Sequence, residues 1–477
     1  MSNKSNKSLL KAGSVYTLCN LVIRGISFFT IPLFIRLLST EEFGRFNVFI
    51  SIESALFIFS ALAIHASIKN AYYDKKDTFD DYIKNCVYID FFNSLLLLLV
   101  ANVIGVFFSN EIDMSFTEIN LLVISGFCQA LITIYTSRII MDYQSGDFVI
   151  VSLLSVISGI VLSLLFIFTV FSANHYYGRI YGAVSGWLIA AIYILCKIFK
   201  TGIAKISFND WKYGLKISLP IVPHGLSQIA LGTSSTVIIK YIKSASQAGI
   251  YSFTYTLTLI PQVLFSSIVN VWEPWFFERM SNEEYDKIKM ASTYFCRLIS
   301  LVFILMACVV PEIVKLLATP DYYEAIDISI VALLGCYFST LYYIPCEIEY
   351  YFKKTNYIAF STLICAIFNI SLNILLMHFY SYKIAAYVML ISYMLYFLFH
   401  MYATRYICKK WMFEVSKIFI IAALTCVIVA VILLSINYFY IRAILFISIL
   451  LYSLFKIKEM LELADLIRLR KCSFGKN

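Results

Sequence analysis

The sequence predicts an all-α polytopic membrane protein of about fourteen transmembrane helices, and three observations predict it. The 477 residues are 61% hydrophobic and only 14% charged, with a mean hydropathy of +0.81, whereas soluble domains carry roughly a quarter charged residues. Apolar stretches of the ~20 residues that a bilayer-crossing helix needs recur along nearly the whole chain. Runs such as Leu95 to Val100 and Val427 to Leu434 are apolar without alternation, so the in-out pattern of a membrane barrel is missing.

Taken in order, the expected spans lie near 12–35, 44–68, 86–108, 118–141, 148–171 and 178–199, then 215–240, 248–273, 293–317, 326–346, 356–379, 383–404, 415–436 and 438–456. The first carries Arg24 and Pro32, the second Glu53, and the third Asp90. Arg138 lies near the end of the fourth and Arg297 near the start of the ninth. The seventh opens with Pro220, Pro223 and Gly225, and two missing helix donors beside a glycine predict a break near its mid-depth. Glu273, between Trp272 and Trp275, reads as a membrane-interface group anchored by indoles. Asn369 and Asn373 share a face of the eleventh span, suited to interhelical hydrogen bonds or to sugar contact.

Lysine and arginine set the orientation, because positive loops stay on the cytoplasmic side. With the N-terminus inside, roughly 29 basic residues fall on the cytoplasmic face and about 8 on the other. Both termini are therefore expected in the cytoplasm. The net charge of +9 then belongs to loops beside an anionic leaflet rather than to a nucleic-acid surface. A cleavable leader is not expected, since the first apolar run is long and interrupted by Arg24. The twelve cysteines are scattered singly and read as apolar filler, with no C-x-x-C and no metal-ligand spacing. Short outer loops, such as Ser109 to Phe116 and Ser172 to Tyr177, leave no room for the acceptor site of a membrane glycosyltransferase or polymerase. No phosphate-binding G-x-x-x-x-G-K-[ST] loop occurs, so no ATP-driven pump is encoded here. No catalytic constellation, metal set or cofactor motif emerges.

An internal echo divides the chain. Ser39 to Gly44 to Phe46 after the first span matches Ser244 to Gly249 to Tyr251 after the seventh, with six spans between. The expected organisation is a six-helix half over 1–199, a cytoplasmic linker over 200–214, a second six-helix half over 215–404, and two extra helices with a basic tail over 405–477.

The stretch from Gly214 through Pro220, Pro223 and His224 to Gly225, the segment Gly249 to Tyr255, and Lys353-Lys354-Thr355 leading to Asn369 and Asn373, together with the first motif, resemble polysaccharide-biosynthesis flippases of the Wzx type. These belong to the multidrug/oligosaccharidyl-lipid/polysaccharide exporter superfamily. The resemblance covers essentially the whole chain. It implies a bacterial inner-membrane flippase for an undecaprenyl-pyrophosphate-linked oligosaccharide, such as an O-antigen repeat unit of lipopolysaccharide. Membrane lipids, a polysaccharide polymerase and a chain-length regulator are the other expected partners. Energy by proton or cation antiport is implied likewise. The chain departs from the pattern at Gly232 to Ser235, where many relatives carry an aspartate, so no coupling role attaches there.

A diphosphate head group needs cationic donors inside the membrane. Arg24 lies ~16 Å deep by helical rise and costs at least ~2.5–3.5 kcal/mol there unless it faces a polar cavity or a partner. Tyr16, Asn20 and Arg24 at four-residue spacing make a polar stripe, one wall of an expected cavity. The plainer alternative is a buried pair of Arg24 with Glu53 or Asp90. His224 and Gln228, again four apart, supply a second wall, with His224 either a phosphate contact, a proton carrier or a histidine bonded to a carbonyl. Glu53, Asp90 and His224 are the ion-coupling candidates. Arg138 and Arg297 are either snorkelling side chains or a landing site for the diphosphate. Two rivals remain: an organic-cation exporter on the same fold, which would want an acidic cavity, and a polysaccharide polymerase or ligase.

Overall fold

The computed structural model describes residues 3–456, leaving out the side chains of 3–14, Thr17, Arg24, Ser27, 108–112, Ser266, Ser267, Asn270 and Val271. Every one of the fourteen expected spans falls on helix. Eleven of the described segments are long and apolar enough to cross a membrane, and the chain is a multi-pass helical membrane protein. The remaining expected spans fall on α9, α10 and α17 of the order given next.

Contacts divide the chain into Met1–Gly249 and Ile250–Asn477. The first unit holds α1 (Asn3–Leu37), α2 (Thr40–Ala61), α3 (His65–Asp74), α4 (Phe79–Ile112), α5 (Phe116–Met141), α6 (Ser145–Phe168), α7 (His175–Ile198), α8 (Phe208–Ser218) and α9 (Val222–Ile242), and the start of α10 (Ala245–Ser281). The second holds the rest of α10, then α11 (Tyr285–Leu317), α12 (Ala325–Leu341), α13 (Tyr343–Tyr351), α14 (Thr355–Met377), α15 (Ile384–Cys408), α16 (Val415–Leu434) and α17 (Phe439–Phe455). Packing thus groups the seventh span, α9, with α2. That is a different quantity from the repeat boundary expected at 200–214.

Small residues decide the tightest seam of the first unit. Gly178, Gly182 and Gly186 recur every four residues on α7 and face Ile167, Ser163 and Gly159 of α6. A Cβ on Gly182 would sit 2.2 Å from the Ser163 Cα, so only hydrogen fits. Lipid tails are as apolar as the helices, and close backbone approach replaces hydrophobic burial as the driving force.

The two echo motifs also meet inside this unit. Ser39 caps α2, its hydroxyl accepting from the Glu42 N–H while Glu42 accepts from the Ser39 N–H, and the Ser244 hydroxyl accepts from the Gln247 N–H at the start of α10. A Cβ on Gly44 would fall 1.8 Å from the Ala245 carbonyl oxygen, and one on Gly249 2.3 Å from that of Thr40. Each glycine lies against the residue following the other motif's serine. Such reciprocity is the mark of a self-complementary contact.

The second unit buries aromatic rings instead. Trp272 is stacked on Phe295 at 5.0 Å, and Phe265 on Phe303 at 6.0 Å. Trp272 is 0% and Trp275 4% exposed, so these indoles pack against other rings of the unit, while Glu273 between them is exposed. Asn369 donates to the Ser392 hydroxyl at 3.1 Å, and Asn373 to the Asn369 carbonyl oxygen at 3.0 Å, joining α14 to α15 as the interhelical reading expects. Arg442 is buried in α17. It makes two 2.7 Å bonds to Glu312 of α11 and donates to the Cys308 carbonyl.

Candidate functional site

A cluster of buried polar side chains lies where α2, α4 and α5 pack. Glu53 and Ser60 are seven residues apart on α2, close to two full turns, so they share one face. Asp90 and Ser94 are four apart on α4. Both carboxylates are shut away, Asp90 at 0% and Glu53 at 1% exposure. Asp90 accepts from the hydroxyls of Ser60 (3.2 Å) and Ser94 (3.4 Å), which themselves lie 2.6 Å apart. Glu53 is hydrogen-bonded to Gln129 of α5. One oxygen of each carboxylate, Asp90 Oδ2 and Glu53 Oε1, is buried without a hydrogen-bond partner among the described residues. A charged carboxylate so placed is costly unless a cation or proton joins it.

Beside Asp90 the second span is broken. The sequence reads as one continuous stretch over 44–68, but α2 stops at Ala61 and α3 starts at His65, with Leu62 (φ 44°) and Ala63 (φ 50°) both left-handed. Neither is glycine, and such residues store strain. The carbonyls freed at the end of α2 are taken up by Asn93, whose amide donates to Phe59 O (2.7 Å) and Ser60 O (2.9 Å). One turn of α4 therefore supplies Asp90, Asn93 and Ser94 to the break. No glycine or proline marks it. The cue available was the polar triplet at i, i+3 and i+4 in an otherwise apolar helix.

The expected second wall is only partly as foreseen. The chain does break at Pro220, where residues Leu219–Ile221 form a 3-10 turn, but α9 then runs unbroken from Val222. The break thus lies at the first turn of the seventh helix rather than at its mid-depth, because Pro223 is tolerated at a helix start. His224 and Gln228 follow on α9, both half-buried, and His224 Nδ1 is buried without a partner among the described residues. Gly225 faces Ile58 of α2.

The other candidates are dispersed. Tyr16 packs edge-on against Phe148 at 4.9 Å and its hydroxyl donates to Ile139 O at 3.4 Å; Asn20 is exposed. The side chain of Arg24 lies outside the described residues. Arg138 is tied to Asp80 at 2.5 Å and to Asp142 at 3.7 Å, a brace between α4 and α5. Arg297 is half-buried, with its guanidinium 6.0 Å from the Tyr294 ring. A further cation, Arg179, lies within α7 between Phe34 (3.8 Å) and Phe46 (4.4 Å), donating to the Ser163 hydroxyl at 2.8 Å.

At one end of the unit, Lys75 pairs with Asp210 at 2.5 Å, and the Tyr213 hydroxyl donates to Asp74 at 2.6 Å. These bonds clip α8 to the α3 end. Chemically, the enclosed carboxylates of Glu53 and Asp90, the strained helix break and the half-buried His224 are groups able to take up a proton or cation.

Comparison with known proteins fits that picture. The model of the polysaccharide biosynthesis protein family matches residues 9–280. No curated protein matches the sequence. Among solved structures, the chain is similar to the lipid II flippase MurJ in an inward closed conformation, at 15% identity and a TM-score of 0.71 over 93% of this chain and 99% of that one. It is also similar to an inward-facing multidrug resistance MATE family transporter of the MOP superfamily, at 12% identity and 0.60 over 82% and 99%. A variant of the Vibrio cholerae MATE transporter VcmN gives 13% and 0.57 over 84% and 97%. Likeness at such identities establishes a shared transporter fold.

Proposed function

The chain belongs to the polysaccharide biosynthesis protein family, and from that premise we propose that it is a flippase for undecaprenyl-pyrophosphate-linked oligosaccharide repeat units. It moves them from the cytoplasmic to the periplasmic leaflet of the bacterial inner membrane, with both termini in the cytoplasm, and serves an O-antigen or similar surface polysaccharide. The observation that carries the reading is the family match over residues 9–280 on a chain whose fold is shared with a lipid-linked precursor flippase. The protein acts as a carrier rather than an enzyme. Its cycle is alternating access: a head-group cavity opens to one leaflet, closes, and reopens to the other.

Arg24 is the residue we assign to the diphosphate, with Tyr16, Asn20, His224 and Gln228 as cavity groups and Arg138 and Arg297 as an entry site. The ion-coupling role falls to Glu53 and Asp90, with His224 as a further proton carrier. Their enclosure supports this, since a buried carboxylate changes its contacts strongly with protonation. The test is a deletion strain complemented with wild type or Arg24→Ala. Loss of the protein should trap lipid-linked repeat units on the cytoplasmic face. Absence of that accumulation rejects the flippase, and full activity of Arg24→Ala at equal abundance rejects the role of Arg24.

One observation favours a second reading, an organic-cation antiporter. Glu53 and Asp90 are acids with no basic partner among the described side chains, as a cation carrier requires. Saturable binding of a lipophilic cation to purified protein, lost in Asp90→Asn, would support that reading over the first.

A further inference from the structure

Three groups capable of holding a metal converge in the second unit, away from everything assigned above. Cys346 and Glu349 are three residues apart on one face of α13, and His400 reaches them from α15. The thiol, a carboxylate oxygen and a ring nitrogen lie within 4.8 Å of one another. All three residues are enclosed, at 2%, 0% and 0% exposure. The His400 ring is fixed by Tyr396 at 4.5 Å and Tyr342 at 5.5 Å.

Both ring nitrogens of His400 are hydrogen-bonded, and the bond to Glu349 is the one that a cation can replace. Its Nε2 lies 3.2 Å from the Ser361 hydroxyl, which spends its own proton on the Ile358 carbonyl at 3.0 Å. In the tautomer that matches this bonding, Ser361 accepts and Nε2 carries the hydrogen. Nδ1 faces Glu349 Oε1 at 2.6 Å, a hydrogen-bond distance, so a proton joins them in the metal-free protein, and a metal bound by both atoms replaces that proton with the two ligand atoms moved apart. Glu349 Oε2 is buried and has no partner among the described residues, a further donor atom to spare.

We propose that Cys346, Glu349 and His400 form a binding site for a divalent transition-metal cation of the zinc class. Thiolate, imidazole and carboxylate together select that class over magnesium or calcium, which take oxygen alone. The Ser361 hydroxyl holding the far ring nitrogen is the outer contact that orients a metal-binding imidazole. Charge balances across the exchange. Without metal the site holds a neutral thiol and one proton shared by carboxylate and imidazole; with M²⁺ it holds thiolate, carboxylate and neutral imidazole, and two protons leave. Both states are neutral, so neither leaves a net charge in a low-dielectric interior. A route is short: Glu349 lies one helical turn from the connection at Phe352 to Lys354, and its carbonyl accepts from the Lys354 N–H at 2.7 Å.

The site is tested by titrating purified, detergent-solubilised protein with Co²⁺ and following the thiolate-to-cobalt charge-transfer band, then displacing it with Zn²⁺. Wild type should show one saturable site per chain. Cys346→Ser should lose the band while exposed Cys196→Ser keeps it, and Ser361→Ala should bind about 10–100-fold more weakly. Absence of a stoichiometric band in wild type, or its persistence in Cys346→Ser, overturns the proposal. Helical circular dichroism and monodispersity establish that each variant is folded. Should Cys346→Ser fail that check, Glu349→Gln and Ser361→Ala carry the same discrimination through the band's affinity.

Discussion

Replacing Gly182 by alanine should drive α6 and α7 apart. The added Cβ would lie 2.2 Å from both the N and Cα of Ser163 and 2.5 Å from its Oγ, where carbon atoms ordinarily rest about 3.5–4.0 Å apart. These are backbone atoms, so no rotamer change relieves the clash, and the helices must separate by about 1.3 Å or more. Separation also loosens Gly186 against Gly159 and the Ser163 hydroxyl, which accepts from Arg179 at 2.8 Å. Overpacking of this kind costs about 1–3 kcal/mol. At about 2–4 °C per kcal/mol for a unit of this size, Tm should fall by about 2–12 °C. Intrinsic fluorescence of detergent-purified protein reads the transition, with Trp187 of α7 packed against the core nearby. The control is Gly146→Ala, where the new Cβ meets nothing within 4 Å and a helical alanine is neutral or mildly stabilising. A Tm for Gly182→Ala at or above that of wild type refutes the close-packing argument.

Three further outcomes are expected. Glu312→Ala strands the buried Arg442 guanidinium and should destabilise by about 3 kcal/mol, whereas replacing both partners by methionine should recover most of that loss; equal losses in the denaturation midpoints of the two variants would contradict this. Asp90→Asn should preserve the bonds from Ser60 and Ser94, and so the Tm, while cutting flipping to the level of the deletion strain; undiminished transport would remove Asp90 from coupling. In the turn before α11, hydrogen bonds from Lys287 and Arg279 hold the Glu284 carboxyl below its usual range. A depressed folded pKa stabilises above the unfolded value of about 4.3 and is lost as pH falls through the folded one. Hydrogen exchange of residues 282–288 should therefore quicken below about pH 4, and Glu284→Gln should abolish that pH dependence; an unchanged profile would discount the clamp.

Much of the architecture was legible because a bilayer leaves the backbone few options. Without water to bond N–H and C=O groups, an apolar stretch of sufficient length is driven to helix, and the fourteen stretches fall on helices, the second and the seventh with a break. The Ser39 and Ser244 motifs were legible too, since capping chemistry and close-approach glycines are written in residue type. The site was read less well. Asp90 and Glu53 stood out as acids in apolar surroundings, but the break at Leu62 and Ala63 carries no glycine or proline and arises from Asn93 of another helix capturing freed carbonyls. Cys346, Glu349 and His400 went unnoticed because His400 lies 51 residues beyond Glu349 on another helix.

By itself, then, the sequence determined that the chain is a multi-pass helical membrane protein, where its apolar segments lie, the repeated motif and the presence of ionisable groups within them, since each follows from the local balance between hydrocarbon and polar atoms. Tertiary packing alone decided which helices touch and which acids find donors. It stacked Trp272 on Phe295 and bound Arg442 to Glu312. The physical reason is that side chains on separate helices share no local signal: in lipid their pairing is fixed by close fit and hydrogen bonding across the bundle, and those depend on three-dimensional placement.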